Sequence, residues 1–72
     1  GKRTTRDKLL SYLSAESVRQ SSLSFDIPFN RQQLADYLCI DRAAMSAELS
    51  KLQKEGLIKT NRNHFELTVC NQ

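Results

Sequence analysis

The side chains in this chain that could do chemistry are hydrogen-bonding and cationic groups placed at two characteristic spacings. Ala43, Ser46, Ala47 and Ser50 fall at i, i+3, i+4 and i+7, with Arg42 at the start of the row and Lys54 continuing it. Such spacing puts them on one face of a helix, and their small size lets the backbone approach whatever surface lies opposite. Alanine fits against a thymine methyl, serine hydrogen-bonds to bases or phosphates, and the Arg42 fork matches the O6 and N7 acceptors of guanine. A second set, Asn30, Arg31 and Gln32, opens a short helix, where free amides and the helix dipole favour an anion. Lys51, Lys54, Lys59, Arg62 and Asn63 are further candidates for phosphate contact. Taken singly, each reads equally well as a solvated charge, and the alanines read as ordinary helix formers. The position of the alanines in the second helix of a two-helix unit turns their reading toward duplex DNA.

Other chemistries find little support. Cys39 and Cys70 are far apart and in no C-x-x-C arrangement, and with His64 as the single histidine there is no four-ligand zinc set. They read as two free thiols in a reducing cytoplasm. No nucleophile stands with a base, and there is no carboxylate pair or glycine-rich phosphate loop, so neither an enzyme nor a cofactor is expected. His64 reads as a solvated strand residue. Seventy-two residues make one small domain, 1–72, and Lys and Arg outnumber Asp and Glu eleven to eight for a net charge of +3. That balance suits a polyanion without requiring one. The polar stretch Gly1–Lys8 has no apolar run to serve as a signal peptide, no segment is apolar enough to span a membrane, and a cytoplasmic location is expected.

The elements that must position these residues can be read from periodicity. A first helix is expected over about Thr4–Arg19, with Thr4 or Thr5 as N-cap and Leu9, Leu10, Tyr12 and Leu13 as its apolar stripe. The basic residues before and within its first turns, Lys2, Arg3, Arg6 and Lys8, read as a solvated linker and helix start. Leu23, Phe25 and Ile27 alternate with polar residues as a short strand that Pro28 confines to an edge. Asn30 caps a helix over Arg31–Leu38, with Gln33 completing a capping box and Phe29 placed to staple onto Leu34. Asp41 then caps Arg42–Glu55, which buries Met45, Leu49 and Leu52 and ends at Gly56. Glu48 is placed to pair with Arg42 or Lys51 along that helix. Leu57-Ile58 restarts the chain as a strand, Asn61-Arg62-Asn63 turns it, and His64–Val69 returns with Phe65, Leu67 and Val69 on one face. The fold class expected is mainly α with small β, a winged helix-turn-helix with a three-helix core and a β-hairpin wing. Ile40 should plug between the second and third helices.

The run FDIPFNRQQLADYLCIDRAAMSAELSKLQKEG over Phe25–Gly56, followed by LIKTNRNHFEL, resembles the C-terminal domain of Crp/Fnr bacterial transcription regulators. The resemblance implies a longer regulator whose effector-binding β-roll and dimerisation helix precede this domain. It also implies a cytoplasmic homodimer on a palindromic operator, one domain per half-site, with RNA polymerase as a further partner. By itself the domain is expected to be a monomer of weak affinity. The resemblance puts the helix from Arg42 in the major groove and brings Arg31 and Gln32 to phosphate. Two departures bear on specificity: Ala43 stands where well-known members carry Glu, and Ala47 where they carry a second Arg, so the operator sequence does not carry over. Cys39 stands where the family often has Gly, which implies left-handed strain there. The alternative, a winged helix used for protein contact, predicts a large apolar patch on the exposed face of Arg42–Glu55, which Ala43, Ser46, Ala47 and Ser50 do not supply.

Overall fold

A computed structural model describes residues 4–68 of the chain. Helix α1 spans Thr5–Gln20, strand β1 Ser24–Asp26, helix α2 Arg31–Leu38, helix α3 Arg42–Lys54, strand β2 Ile58–Asn61 and strand β3 His64–Leu67. Each boundary has a local cause. Thr4 caps α1 through the Asp7 amide, and Asp7 returns the bond to the Thr4 amide. Asn30 and Gln33 close the same reciprocal box on α2, while Asp41 caps α3 by accepting from the Ala44 amide at 3.0 Å. Each such cap satisfies helix-end amides that have no intrahelical partner.

Helix α1 continues to Gln20, where Ser21 takes a left-handed conformation (φ 54°) and its amide returns to Val18 and Ser17 carbonyls. Glu16 is buried there and is held by the Arg19 guanidinium one turn on.

Leu9 and Leu13 of α1, Leu34 and Ala35 of α2, and Met45, Leu49 and Leu52 of α3 meet in one core with Phe25, Ile27, Ile58 and Phe65. Ile40 packs partly buried against it, and its amide bonds to the Ala35 carbonyl. Phe29 makes ring contacts with Tyr37, at 4.9 Å between centroids, and with Tyr12, at 6.2 Å.

The sheet is three-stranded in the order β1-β3-β2, all antiparallel. Strand β1 is therefore an edge, which suits Pro28 two residues past its end, and the wing is β2-β3 with β1 alongside. Phe25 and Phe65 are cross-strand partners with stacked rings. At the wing tip the left-handed residue is Arg62 (φ 58°) rather than either flanking asparagine. The expected strand residue Val69 and the second cysteine, Cys70, lie outside the described residues. Among those described, no helix is long and apolar enough to cross a membrane.

Candidate nucleic-acid interface

Helix α3 buries Met45, Leu49 and Leu52 and leaves Arg42, Ala43, Ser46, Ala47, Ser50 and Lys54 exposed. A helix facing the core with one stripe must show the opposite one, so the small-residue row is open to solvent along its length. The exposed large apolar side chains of the described residues are Val18, Leu23 and Tyr37, none of them on α3.

Beside the start of α3, one cleft of about 790 Å³ gathers Pro28, Phe29, Asn30, Arg31, Gln32, Arg42, Arg62 and Asn63. Three elements converge here: the N-terminus of α2, the N-terminus of α3 and the wing tip. Six of the residues expected at the interface from sequence are thereby brought into a single concavity. Its cationic groups come from residues 31, 42 and 62, distant in sequence and joined only by the fold. Lys51 and Lys54 lie further along α3, in its last turn. Lys59 lies elsewhere, beside a small hollow of about 90 Å³ with Thr60, Asn61, His64 and Glu66.

Several of these side chains have specific jobs within the fold. Asn30 Oδ1 accepts from the Gln33 amide at 2.8 Å. Gln32 donates to Asp36 one turn on, at 3.0 Å. Asn63 donates its side-chain amide to the Ile27 carbonyl at 3.0 Å, and the Ile27 amide bonds back to the Asn63 carbonyl at 2.8 Å. Arg31 is turned toward the wing. Its Nη1 donates to the Arg62 carbonyl at 2.6 Å and its Nη2 to Thr60 Oγ1 at 2.9 Å, while its guanidinium carbon lies 5.2 Å from the Phe65 ring centre. Burial pulls its pKa below the ordinary value, although a guanidinium stays protonated at physiological pH.

The acidic residues of α3 find a partner that the sequence reading assigned elsewhere. Glu48 pairs with Arg6 of α1 at 2.8 Å, rather than with Arg42 or Lys51, and the other end of the same guanidinium takes Glu55. Arg6 is thus a clamp between α1 and α3 and not a solvated linker residue; an i, i+42 contact leaves no local signal. The hydrogen bonds that Arg6 donates to Glu55 and then to Glu48 raise its pKa. In return, hydrogen bonds from Arg6, followed by the charges of Arg6 and Lys51, hold the Glu55 carboxyl below its usual range. Lys8 donates to the Cys39 carbonyl at 3.3 Å.

His64 is likewise more engaged than a solvated strand residue. Its Nδ1 lies 2.7 Å from Asp26 Oδ1 and its Nε2 3.0 Å from Ser24 Oγ, with Glu66 Oε2 3.6 Å away. These are the contacts of a Ser-His-Asp array. The small hollow beside His64 is lined without Ser24, and because Asp26 and His64 are paired across the two strands, the cluster reads as a cross-strand tie between β1 and β3. Cys39 is exposed, with the left-handed conformation (φ 59°) expected where a glycine is common. Among the described residues no group of three His, Cys, Asp or Glu side chains is placed to hold a metal.

Comparisons with known proteins identify relatives of this chain. The family model of the Crp-like helix-turn-helix domain matches residues 7–72. The transcriptional activator protein FnrL of Cereibacter sphaeroides is 31% identical over 67 residues, covering 81% of this chain and 27% of that protein. A probable transcriptional activator of Rhizobium leguminosarum bv. viciae is 33% identical over 64 residues, covering 82% and 27%. The chain therefore spans about a quarter of the length of these relatives. No solved structure matches significantly.

Proposed function

Because this chain belongs to the Crp-like helix-turn-helix family, we propose that it reads a specific sequence in double-stranded DNA, with α3 in the major groove. The family is one of DNA-binding transcription regulators, and the chain is a DNA-binding domain rather than an enzyme. The observation that carries the finer reading is the exposed small-residue row of α3 lying beside a cleft lined by Arg31, Arg42 and Arg62. A helix that must seat against base edges needs short side chains along its contact face and cations at its margin to meet phosphates. In this reading Arg42, Ala43, Ser46, Ala47 and Ser50 face the bases. The backbone amides at the start of α2, with the side chains of Asn30, Gln32, Lys51, Lys54, Arg62 and Asn63, face the DNA backbone; Lys59, beside a separate hollow, is the weakest member. The working unit is a homodimer on a palindrome, with half-sites about 34–36 Å apart, one turn of DNA.

Selection from randomised duplex DNA, with the domain fused to a dimerising helix, tests this. An enriched palindrome bound with steep salt dependence is expected, since each phosphate contact contributes about 0.9 to the slope of log K against log salt. Failure to enrich any sequence, with weak binding that ignores salt, would exclude it.

A further inference from the structure

We infer that Arg31 is a positioning residue: it docks the wing against the start of α2 and acts on DNA through Arg62, without itself gripping a phosphate. The inference rests on the proposal that this face binds DNA, and it assigns one of the three arginines lining the cleft a different task from its neighbours.

Three observations point the same way. Both terminal nitrogens of the Arg31 guanidinium are committed to the wing, one to the Arg62 carbonyl and one to Thr60 Oγ1. The guanidinium sits over Phe65, a fully buried core ring, and is itself partly desolvated. Its acceptor Thr60 Oγ1 passes a hydrogen bond on to the His64 carbonyl at 3.0 Å, so one side chain closes the hairpin across both strands. On the other side of the tip, Asn63 is held to Ile27 through two bonds. Arg62 lies between these anchors in a left-handed conformation that an arginine does not favour. A residue held so must be over-determined by its surroundings, and the Arg31 bond to its carbonyl supplies one of the constraints. The consequence is that the Arg62 side chain is presented to the cleft it shares with Arg42.

The fork is essential to this role. A lysine at position 31 keeps the charge, but its single ammonium cannot reproduce the planar pair of donors that spans Arg62 and Thr60. A direct phosphate clamp tolerates that change; a positioning residue does not.

The test uses the 72-residue chain with Arg31→Lys, Arg62→Gln and the double variant, read by amide NMR of the free protein and by DNA titration at several salt concentrations. Arg31→Lys is expected to move the amide resonances of Thr60–His64. It should also weaken binding about as much as Arg62→Gln does, roughly eightfold at 0.1 M salt, with a loss of about 0.9 in the salt slope, one phosphate's share. The double variant should bind no more weakly than Arg62→Gln alone. Wild-type affinity for Arg31→Lys with unmoved wing amides would overturn the inference. So would losses that multiply in the double variant, to about sixty-fold on the same counterion arithmetic, since two independent contacts would then be at work. A wild-type chain that binds no duplex DNA removes the DNA reading and this inference with it; one that binds, with multiplying losses, removes the inference alone.

Discussion

Replacing Asn30 by Asp separates the stability of α2 from its use in recognition. The Asn30 side-chain oxygen accepts from the Gln33 amide at 2.8 Å, and Gln33 returns a bond to the Asn30 amide at 2.9 Å. Aspartate offers the same acceptor and ranks equally as an N-cap, so the box survives. The first turn of α2 contains no acidic residue; a carboxylate there would be the first to meet the positive end of the dipole, a gain of about 0.3–1 kcal/mol. For a domain of this size that raises Tm by roughly 1–8 °C. DNA affinity should move the other way. A carboxylate about 4 Å from a phosphate costs ~1 kcal/mol in water and ~4 kcal/mol at an effective dielectric near 20, roughly a five- to several-hundred-fold loss. The loss should shrink as salt rises, because the repulsion is screened. Thermal melts paired with fluorescence anisotropy at two salt concentrations measure both quantities. Asn30→Ala is the control, losing the cap and about 1 kcal/mol of stability. If Asn30→Asp melted higher yet bound DNA as the wild type does at low salt, the start of α2 would not face phosphate.

Four further outcomes follow from the same structure. Arg42→Ala should cost about 1–3 kcal/mol of binding and relax selectivity at one base pair, whereas Lys54→Ala should weaken all sequences alike; anisotropy on a panel of single-base operator variants separates the two. Leu52→Ala empties a fully buried core position and should lower the unfolding free energy by about 2–5 kcal/mol, against about 0.5 kcal/mol or less for exposed Ser46→Ala, as read by urea denaturation. Cys39→Gly relieves a left-handed non-glycine residue, worth about 1–2 kcal/mol, less about 0.5–1 kcal/mol for glycine's greater freedom in the unfolded chain; the net is a modestly higher Tm, and a lower one would mean the conformation is unstrained. Glu16 and Glu55 have carboxyls held below their usual range, chiefly by hydrogen bonds from Arg19 and Arg6 respectively. A depressed carboxyl pKa contributes stability that is complete above the unfolded value of about 4.3 and is lost as pH falls through the folded value. Urea midpoints should therefore drop from about pH 5 downward, and Arg6→Gln should flatten that dependence.

Local chemistry made the helices and the turn between them legible, because their signals are short-range. The Asn30–Gln33 box, the Asp41 cap, the i, i+4, i+7 row of Met45, Leu49 and Leu52, and the glycine at position 56 each lie within one or two turns of what they determine. The alternation around Phe25 likewise marks β1, but nothing local says that it pairs with β3 instead of standing apart. What stayed hidden was every long-range polar contact. Arg6 meets Glu48 and Glu55, Arg31 meets the wing, and His64 meets Asp26 and Ser24, each across 29 to 49 residues of sequence. Charge alone cannot choose among eleven cations and eight acids, because each exposed pair is worth so little that topology decides which ones form. The same limit explains the wing tip. Asparagine is the residue more tolerant of positive φ, yet the two-residue turn between Asn61 and His64 assigns that conformation to Arg62.

The pairing of the acids shapes the face proposed to meet DNA more than the net charge of +3 does. Each of the eight acidic side chains has a partner. Glu48 and Glu55 share Arg6, Glu16 takes Arg19, and Asp26 and Glu66 flank His64. Asp7 and Asp41 cap helices, and Asp36 accepts from Gln32. Arg6 and Arg19, the cations consumed in these pairs, belong to α1. Among the described residues no carboxylate lies within 4.0 Å of the charged groups of Arg42, Lys51, Lys54, Lys59 or Arg62. The fold thus sorts charge: Arg6 of α1 takes Glu48 and Glu55 from behind α3, and the cations of α3 and the wing form no close ion pair among the described residues, although the charge of Lys51 still acts on Glu55. Releasing that sorting should matter as much as deleting a cation. In Arg6→Gln, Glu48 and Glu55 become free to pair with Lys51 or Lys54, so a change on the side of α3 away from the proposed DNA face is expected to weaken binding and reduce its salt dependence.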